Sequence, residues 1–118
     1  MTTIETELTP EQLSKINDTL RVNLITNTGR ASCEGITGRL IVTRSVADMP
    51  GDQMIAILSA VAHFRDFTED NDPHGEHDFG SVSLMGEKWF WKFDYYDEHF
   101  EAFGHDVHVL TIMNSTDY

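Results

Sequence analysis

The chain has 118 residues, with 20 acidic against 8 basic side chains, six histidines and a formal charge of −12. That length fits one domain, residues 1–118, and an apolar content of 40% excludes a charged disordered tail. The acidic balance disfavours direct binding to phosphate backbones or to anionic membranes, both of which require Lys and Arg.

The single cysteine, Cys33, excludes an internal disulfide and multi-cysteine metal sites. Residues 1–8 are polar, without the apolar run of a signal peptide, and are expected to form a flexible N-terminus. No stretch approaches the roughly 20 apolar residues of a membrane span. The expectation is a soluble, cytoplasmic protein.

Taken in chain order, Thr9-Pro10-Glu11-Gln12 marks a helix start, with Thr9 as cap, Pro10 at the first helical position and Gln12 closing a capping box. Leu13, Ile16, Leu20 and Leu24 then form one apolar stripe. Residues 26–38 are rich in Thr, Ser and Gly and are expected to be a loop. Leu40–Thr43 predicts a strand. After Asp48–Pro50, the spacing of Met54, Ile57, Leu58, Val61 and Phe64 predicts a second helix ending near Phe67. Residues 68–78 are polar and loop-like. Phe79–Met85 and Lys88–Tyr96 predict a hairpin turning at Gly86-Glu87, with glycine first as in a type II′ turn. Val107–Met113 closes the chain as a last strand. The expected fold is α+β: two helices on one face of a mostly antiparallel four-stranded sheet, in the order α-β-α-β-β-β.

The hairpin sets which residues share a face. With Gly86-Glu87 as the turn, Leu84 opposes Trp89, Val82 opposes Trp91 and Gly80 opposes Phe93. Val82, Leu84, Trp89, Trp91 and Phe93 then form one apolar face. Continued outward, the same register places His77 near Tyr96, Glu76 near Asp97 and His74 near His99.

Charge makes that end of the hairpin conspicuous. Residues 1–59 carry five bases and seven acids, a charge of −2, whereas residues 60–118 carry three bases and thirteen acids, a charge of −10, and all six histidines. The expected binding face comprises Asp66, Glu69, Asp70, Asp72, Glu76 and Asp78 from one stretch. Asp94, Tyr96, Asp97, Glu98 and Glu101 come from the other.

Three chemistries compete for that cluster. A zinc or manganese site could use His74, His77, Asp70, Asp97 and His99, since carboxylates neutralise a cation and imidazole supplies nitrogen. The Asp70-x-Asp72-x-His74-Gly75 run opens like a calcium loop, but Ser81 stands where the bidentate Glu belongs. A catalytic carboxylate–histidine site is the second reading, although no nucleophile elbow or phosphate-binding glycine loop accompanies it. The third is a surface that imitates nucleic acid and attracts a protein partner with a basic surface, with Tyr95, Tyr96, Phe100 and Phe103 as anchors. The plain alternative is a solvated acidic loop closed by Asp and Asn turns. In all these readings, histidines crowded by carboxylates are expected to hold their protons more strongly than free histidine.

Residues 64–97, FRDFTEDNDPHGEHDFGSVSLMGEKWFWKFDYYD, closely resemble the hallmark of a small bacterial family known only as a domain of unknown function. LIVTRSV (40–46) and VLTIMNSTDY (109–118) match its other blocks, whereas 26–38 and 98–108 depart from it, so no role for His105 or His108 carries over. The resemblance implies a cytoplasmic bacterial protein, often carried on plasmids or other mobile DNA, with no established activity. By analogy that setting favours an anti-defence role. The sequence therefore predicts a non-enzymatic acidic binding protein without a cofactor, a DNA mimic by its charge, working through residues 66–78 and 94–101. A metal-binding, hydrolytic domain is the alternative.

Overall fold

The computed structural model describes residues 7–27 and 29–118. Most of the expected flexible N-terminus therefore lies outside the described residues. Helix α1 (Pro10–Thr26) starts as its sequence requires. Thr9 Oγ1 accepts from the Gln12 amide at 3.2 Å and Gln12 Oε1 accepts from the Thr9 amide at 2.8 Å, so both donors are satisfied reciprocally. Leu13, Ile16, Leu20 and Leu24 are all buried, each contributing roughly 1.5–3 kcal/mol relative to exposure. The same buried stripe also carries Asn17 and Arg21.

The sheet has five strands rather than four. These are β1 (Arg30–Cys33), β2 (Ile36–Val42), β3 (Phe79–Leu84), β4 (Glu87–Tyr96) and β5 (Val107–Asn114), in the spatial order β1-β2-β5-β4-β3. The β2–β5 pair is parallel and the other three pairs are antiparallel, so the sheet is mixed. The extra strand occupies part of the expected 26–38 loop. Its Thr, Ser and Gly content hid an alternation in which Ala31, Cys33, Ile36 and Gly38 point inward. The turn between the strands is Glu34-Gly35, where both residues have positive φ, 52° and 81°. That is the backbone of a type I′ turn.

The β3–β4 turn is of the same kind and corrects the expected register. Met85 (φ 55°) and Gly86 (φ 74°) are its two central residues, so Leu84 opposes Glu87, Val82 opposes Trp89 and Gly80 opposes Trp91. Each pairing moves by two positions relative to the type II′ reading. Because side chains alternate with period two, this leaves the faces unchanged. Val82, Leu84, Trp89, Trp91 and Phe93 still face the core.

Helix α3 (Gly51–Ala62) is shorter than expected, and a one-turn helix, α2 (Arg44–Ala47), precedes it. Helices α1 and α3 lie side by side on the sheet, α1 over β1 and β2 and α3 over β3. Gly38 permits this approach of α1, and Gly80 makes room for Trp91 within the sheet. A Cβ on Gly38 would sit 3.0 Å from a Leu20 methyl, and one on Gly80 would lie 2.5 Å from Trp91 Nε1, so residue 80 accepts no side chain. Arg21 closes the gap between the helices. Its Nε and one terminal nitrogen donate to the carbonyls of Val61 and Phe64 at the end of α3, each at 3.0 Å, and its guanidinium lies 4.6 Å from the Trp91 ring centre. Burial pushes the Arg21 pKa down, opposed by Asp18. No helix among the described residues is long and apolar enough to cross a membrane.

Candidate functional site

The corrected register separates part of what the sequence places together. The 66–78 segment folds onto α1 through His77, while Glu76 lines one cavity with Asp97 of the turn after β4. Within it, Asn71 Oδ1 accepts from the Thr68 amide at 2.8 Å, and Asn71 Nδ2 donates to the Asp66 carbonyl at 2.7 Å. Asp72 is buried and accepts from the His77 amide at 3.2 Å. The His77 ring stacks on Phe67, with centroids 3.7 Å apart and planes 2° from parallel, and its Nδ1 meets Asp18 on α1 at 2.9 Å. His77 itself adopts φ 55°, a left-handed conformation held by these contacts. Asp66, Glu69, Asp70 and His74 are left exposed.

Glu76 and Asp78 turn inward and are half-buried. Burial is the main force pushing the Asp78 carboxyl above its usual range, with the charges of Glu76 and Asp72 adding to it. Asp94 instead pairs with Lys92 at 3.1 Å, and Tyr96 packs at 5.5 Å from Phe100. Asp97 organises the turn after β4. Its Oδ1 accepts from the amides of His99 and Glu101, each at 3.0 Å, and those amide bonds hold its carboxyl below the usual range. Glu98, His99 and Glu101 are exposed on that turn. The five candidate ligands therefore divide between two places, Asp70, His74 and His77 in the 66–78 segment and Asp97 and His99 on the turn after β4. Among the described residues no three or more His, Cys, Asp or Glu side chains converge as a metal would need.

What the fold does bring together is a chain of polar groups that the sequence reading missed. Tyr95 of β4 opposes His108 of β5, which neighbours Gly38 of β2. Asn17 reaches them from α1. Its Nδ2 donates to the Glu76 carbonyl at 3.0 Å and to the Tyr95 hydroxyl at 2.9 Å. Tyr95 in turn donates to Glu76 Oε1 at 2.9 Å. On the other side, Asn17 Oδ1 lies 2.8 Å from His108 Nδ1, and His108 Nε2 lies 2.9 Å from His105 Nδ1.

The proton positions along this chain follow from its ends. A backbone carbonyl only accepts, so Asn17 must present its NH₂ to Glu76 and its oxygen to His108. His108 Nδ1 then carries the hydrogen and its Nε2 holds a lone pair. His105 Nδ1 must donate to that lone pair, which leaves a lone pair on His105 Nε2. Both imidazoles are neutral near pH 7. Burial pushes His108 down to about 3, with the neighbouring His105 adding to the shift. Burial lowers His105 too, against the opposing pull of Glu76 and Asp106. His105 therefore shifts opposite to the direction expected beside carboxylates, because desolvation outweighs charge attraction.

The relay ends at a cavity of about 730 Å³ lined by His105, Phe103, Glu7, Glu76, Asp97 and Asp106, with further contributions from Leu8, Leu13 and Gly104. Phe103 is 75% exposed at its rim, with its ring 5.2 Å from that of His105. Gly104 lets the turn close, since a Cβ there would lie 3.1 Å from the Asp97 backbone. Two sequence signals pointed to this site. Asn17 is a polar residue inside an apolar helix stripe, and His108 sits between two valines of β5.

A family model described as "protein of unknown function (DUF3768)" matches residues 42–117. No curated protein and no solved structure matches the chain.

Proposed function

The chain belongs to the family described as protein of unknown function (DUF3768), and from that premise we propose that it is a small acidic binding module for a basic protein surface. Its working face is the end of the sheet where residues 95–106 border the cavity. The observation that carries this reading is the cavity's lining. Four carboxylates, Glu7, Glu76, Asp97 and Asp106, surround an opening flanked by a largely exposed phenylalanine. An acidic field steers a basic partner toward this end and raises the rate of encounter. Phe100, 46% exposed, and Phe103 supply the apolar anchors that turn an encounter into a complex. The charge of −10 over residues 60–118 favours partners that normally handle nucleic acid, so the reading extends to a nucleic-acid-mimicking inhibitor of such a protein. That extension agrees with the anti-defence role implied by the family resemblance.

The test uses a fluorescent ten-residue oligoarginine as the basic probe. Binding is expected to weaken steeply as salt rises, since the screening length falls to about 8 Å at physiological ionic strength. Glu98→Gln, Glu101→Gln and Asp106→Asn together should reduce binding at least tenfold. Asp66→Asn, Glu69→Gln and Asp70→Asn together should have little effect. Equal losses from the two sets would show a diffuse acidic surface without a working face.

A further inference from the structure

We propose that the cavity beside His105 accepts one guanidinium group, the side chain of an arginine on the basic partner. The inference rests on the binding reading above and narrows it from a charged surface to one side chain. Carboxylates alone would only make the cavity acidic. What distinguishes it is the relay from the wholly buried Asn17, which fixes the hydrogen on His105 Nδ1 and leaves Nε2 as an acceptor.

The other polar side chains at the cavity accept as well. Glu76 uses Oε1 to accept from Tyr95, Asp97 uses Oδ1 for two amides, and Asp106 uses Oδ2 for the Glu98 amide at 3.1 Å. Asp97 also takes the Ala102 amide, whereas the second oxygens of Glu76 and Asp106, and His105 Nε2, have no hydrogen-bond partner among the described residues. An acidic cavity whose side chains offer acceptors selects a cation that only donates, and arginine and lysine are the cationic side chains that always carry donors and no acceptor.

Geometry favours arginine over lysine. The acceptors come from three separate elements: the segment before β3, the turn after β4 and the residues leading into β5. They therefore suit several donors spread over a plane better than one compact ammonium. Phe103, at the rim and nearly perpendicular to His105 with an interplanar angle of 78°, offers a ring face to a planar cation. The cavity, at about 730 Å³, is ample for a single side chain.

The experiment is an NMR titration of the full chain, carrying ¹⁵N-labelled histidine and ¹³C-labelled phenylalanine, with N-acetyl-arginine methylamide. The lysine and citrulline counterparts are run in parallel. Citrulline keeps the planar shape but replaces one donor group by an acceptor and removes the charge. The expected result is saturable shifts of His105 Nε2 and the Phe103 ring, with arginine at least tenfold tighter than lysine or citrulline. Phe103→Ala, at an exposed position that does not threaten the fold, should weaken arginine binding several-fold. His105→Ala should abolish the preference for arginine over lysine. Equal binding of arginine and lysine, or shifts that avoid His105, would overturn the proposal. The oligoarginine probe separates this failure from a broader one. If it still distinguishes the two acidic sets while arginine leaves His105 unmoved, the guanidinium site falls and the binding face stands. If it fails to distinguish them, the binding reading falls too.

Discussion

The 66–78 segment and the 95–108 region hold similar chemistry, carboxylates and histidines beside aromatic rings, yet the fold uses them differently. In the first, the functional groups face one another. Asp72 caps the His77 backbone, Asn71 ties Thr68 to Asp66, and His77 is clamped between Phe67 and Asp18. In the second, they form a line that begins at a buried amide and ends with a nitrogen lone pair beside a cavity. The difference teaches that local density of polar residues does not mark a working site. Asp and Asn gather wherever turns need closing. A site is marked by polar groups whose partners fix their protonation while leaving one valence directed outward.

The largest test of this contrast is pH. His108 sits near 3 in the folded chain against 6.5 for an ordinary histidine. The folded state therefore prefers the neutral ring. The corresponding stability is present in full above about 6.5 and is lost as pH falls toward 3, by about 1.4 kcal/mol per pH unit. His105 shifts in the same direction and adds to the loss. Urea unfolding at pH 7, 6, 5 and 4 should show a steeper decline for the native chain than for His108→Gln. Parallel declines would mean that His108 does not stay neutral. Next comes Asn17→Ala. It strips partners from the Glu76 carbonyl, the Tyr95 hydroxyl and His108 Nδ1 at once, and should lower unfolding free energy by about 3 kcal/mol. A loss below about 1 kcal/mol would show that water replaces the amide without penalty.

The smallest effect belongs to the other region. His77→Ala removes a stacked ring and a partly exposed hydrogen bond to Asp18, and should cost about 1 kcal/mol of stability. It should also leave oligoarginine binding unchanged. A loss of binding there would merge the two regions and erase the contrast.

Much of this architecture was legible in the sequence. The Thr9–Gln12 cap, the Leu13-Ile16-Leu20-Leu24 stripe and the inward alternation of Val82 to Phe93 all depend on neighbours in the chain, so short spacing reveals them. Strand β1 was not legible, because Ser, Thr and Gly composition outweighed a weak alternation. The hairpin turn was misplaced because glycine suits the first position of a type II′ turn and the second of a type I′ turn equally well. Choosing between them required accepting Met85 at positive φ, which side chains disfavour. The relay was out of reach for another reason. Asn17 and His108 are 91 residues apart, and only the parallel pairing of β2 with β5 beneath α1 brings them together. Their separate oddities, a buried-stripe amide and a histidine among valines, could be seen, but not their meeting.

The relay stands or falls on which nitrogens of His105 and His108 carry hydrogen. Long-range ¹H–¹⁵N correlation spectra of the histidine rings at pH 7 report this directly. Both rings should be neutral and protonated at Nδ1, with unprotonated Nε2 signals, and in Asn17→Ala the two forms should average. A protonated His105 Nε2 in the native chain would contradict the relay and the site built on it.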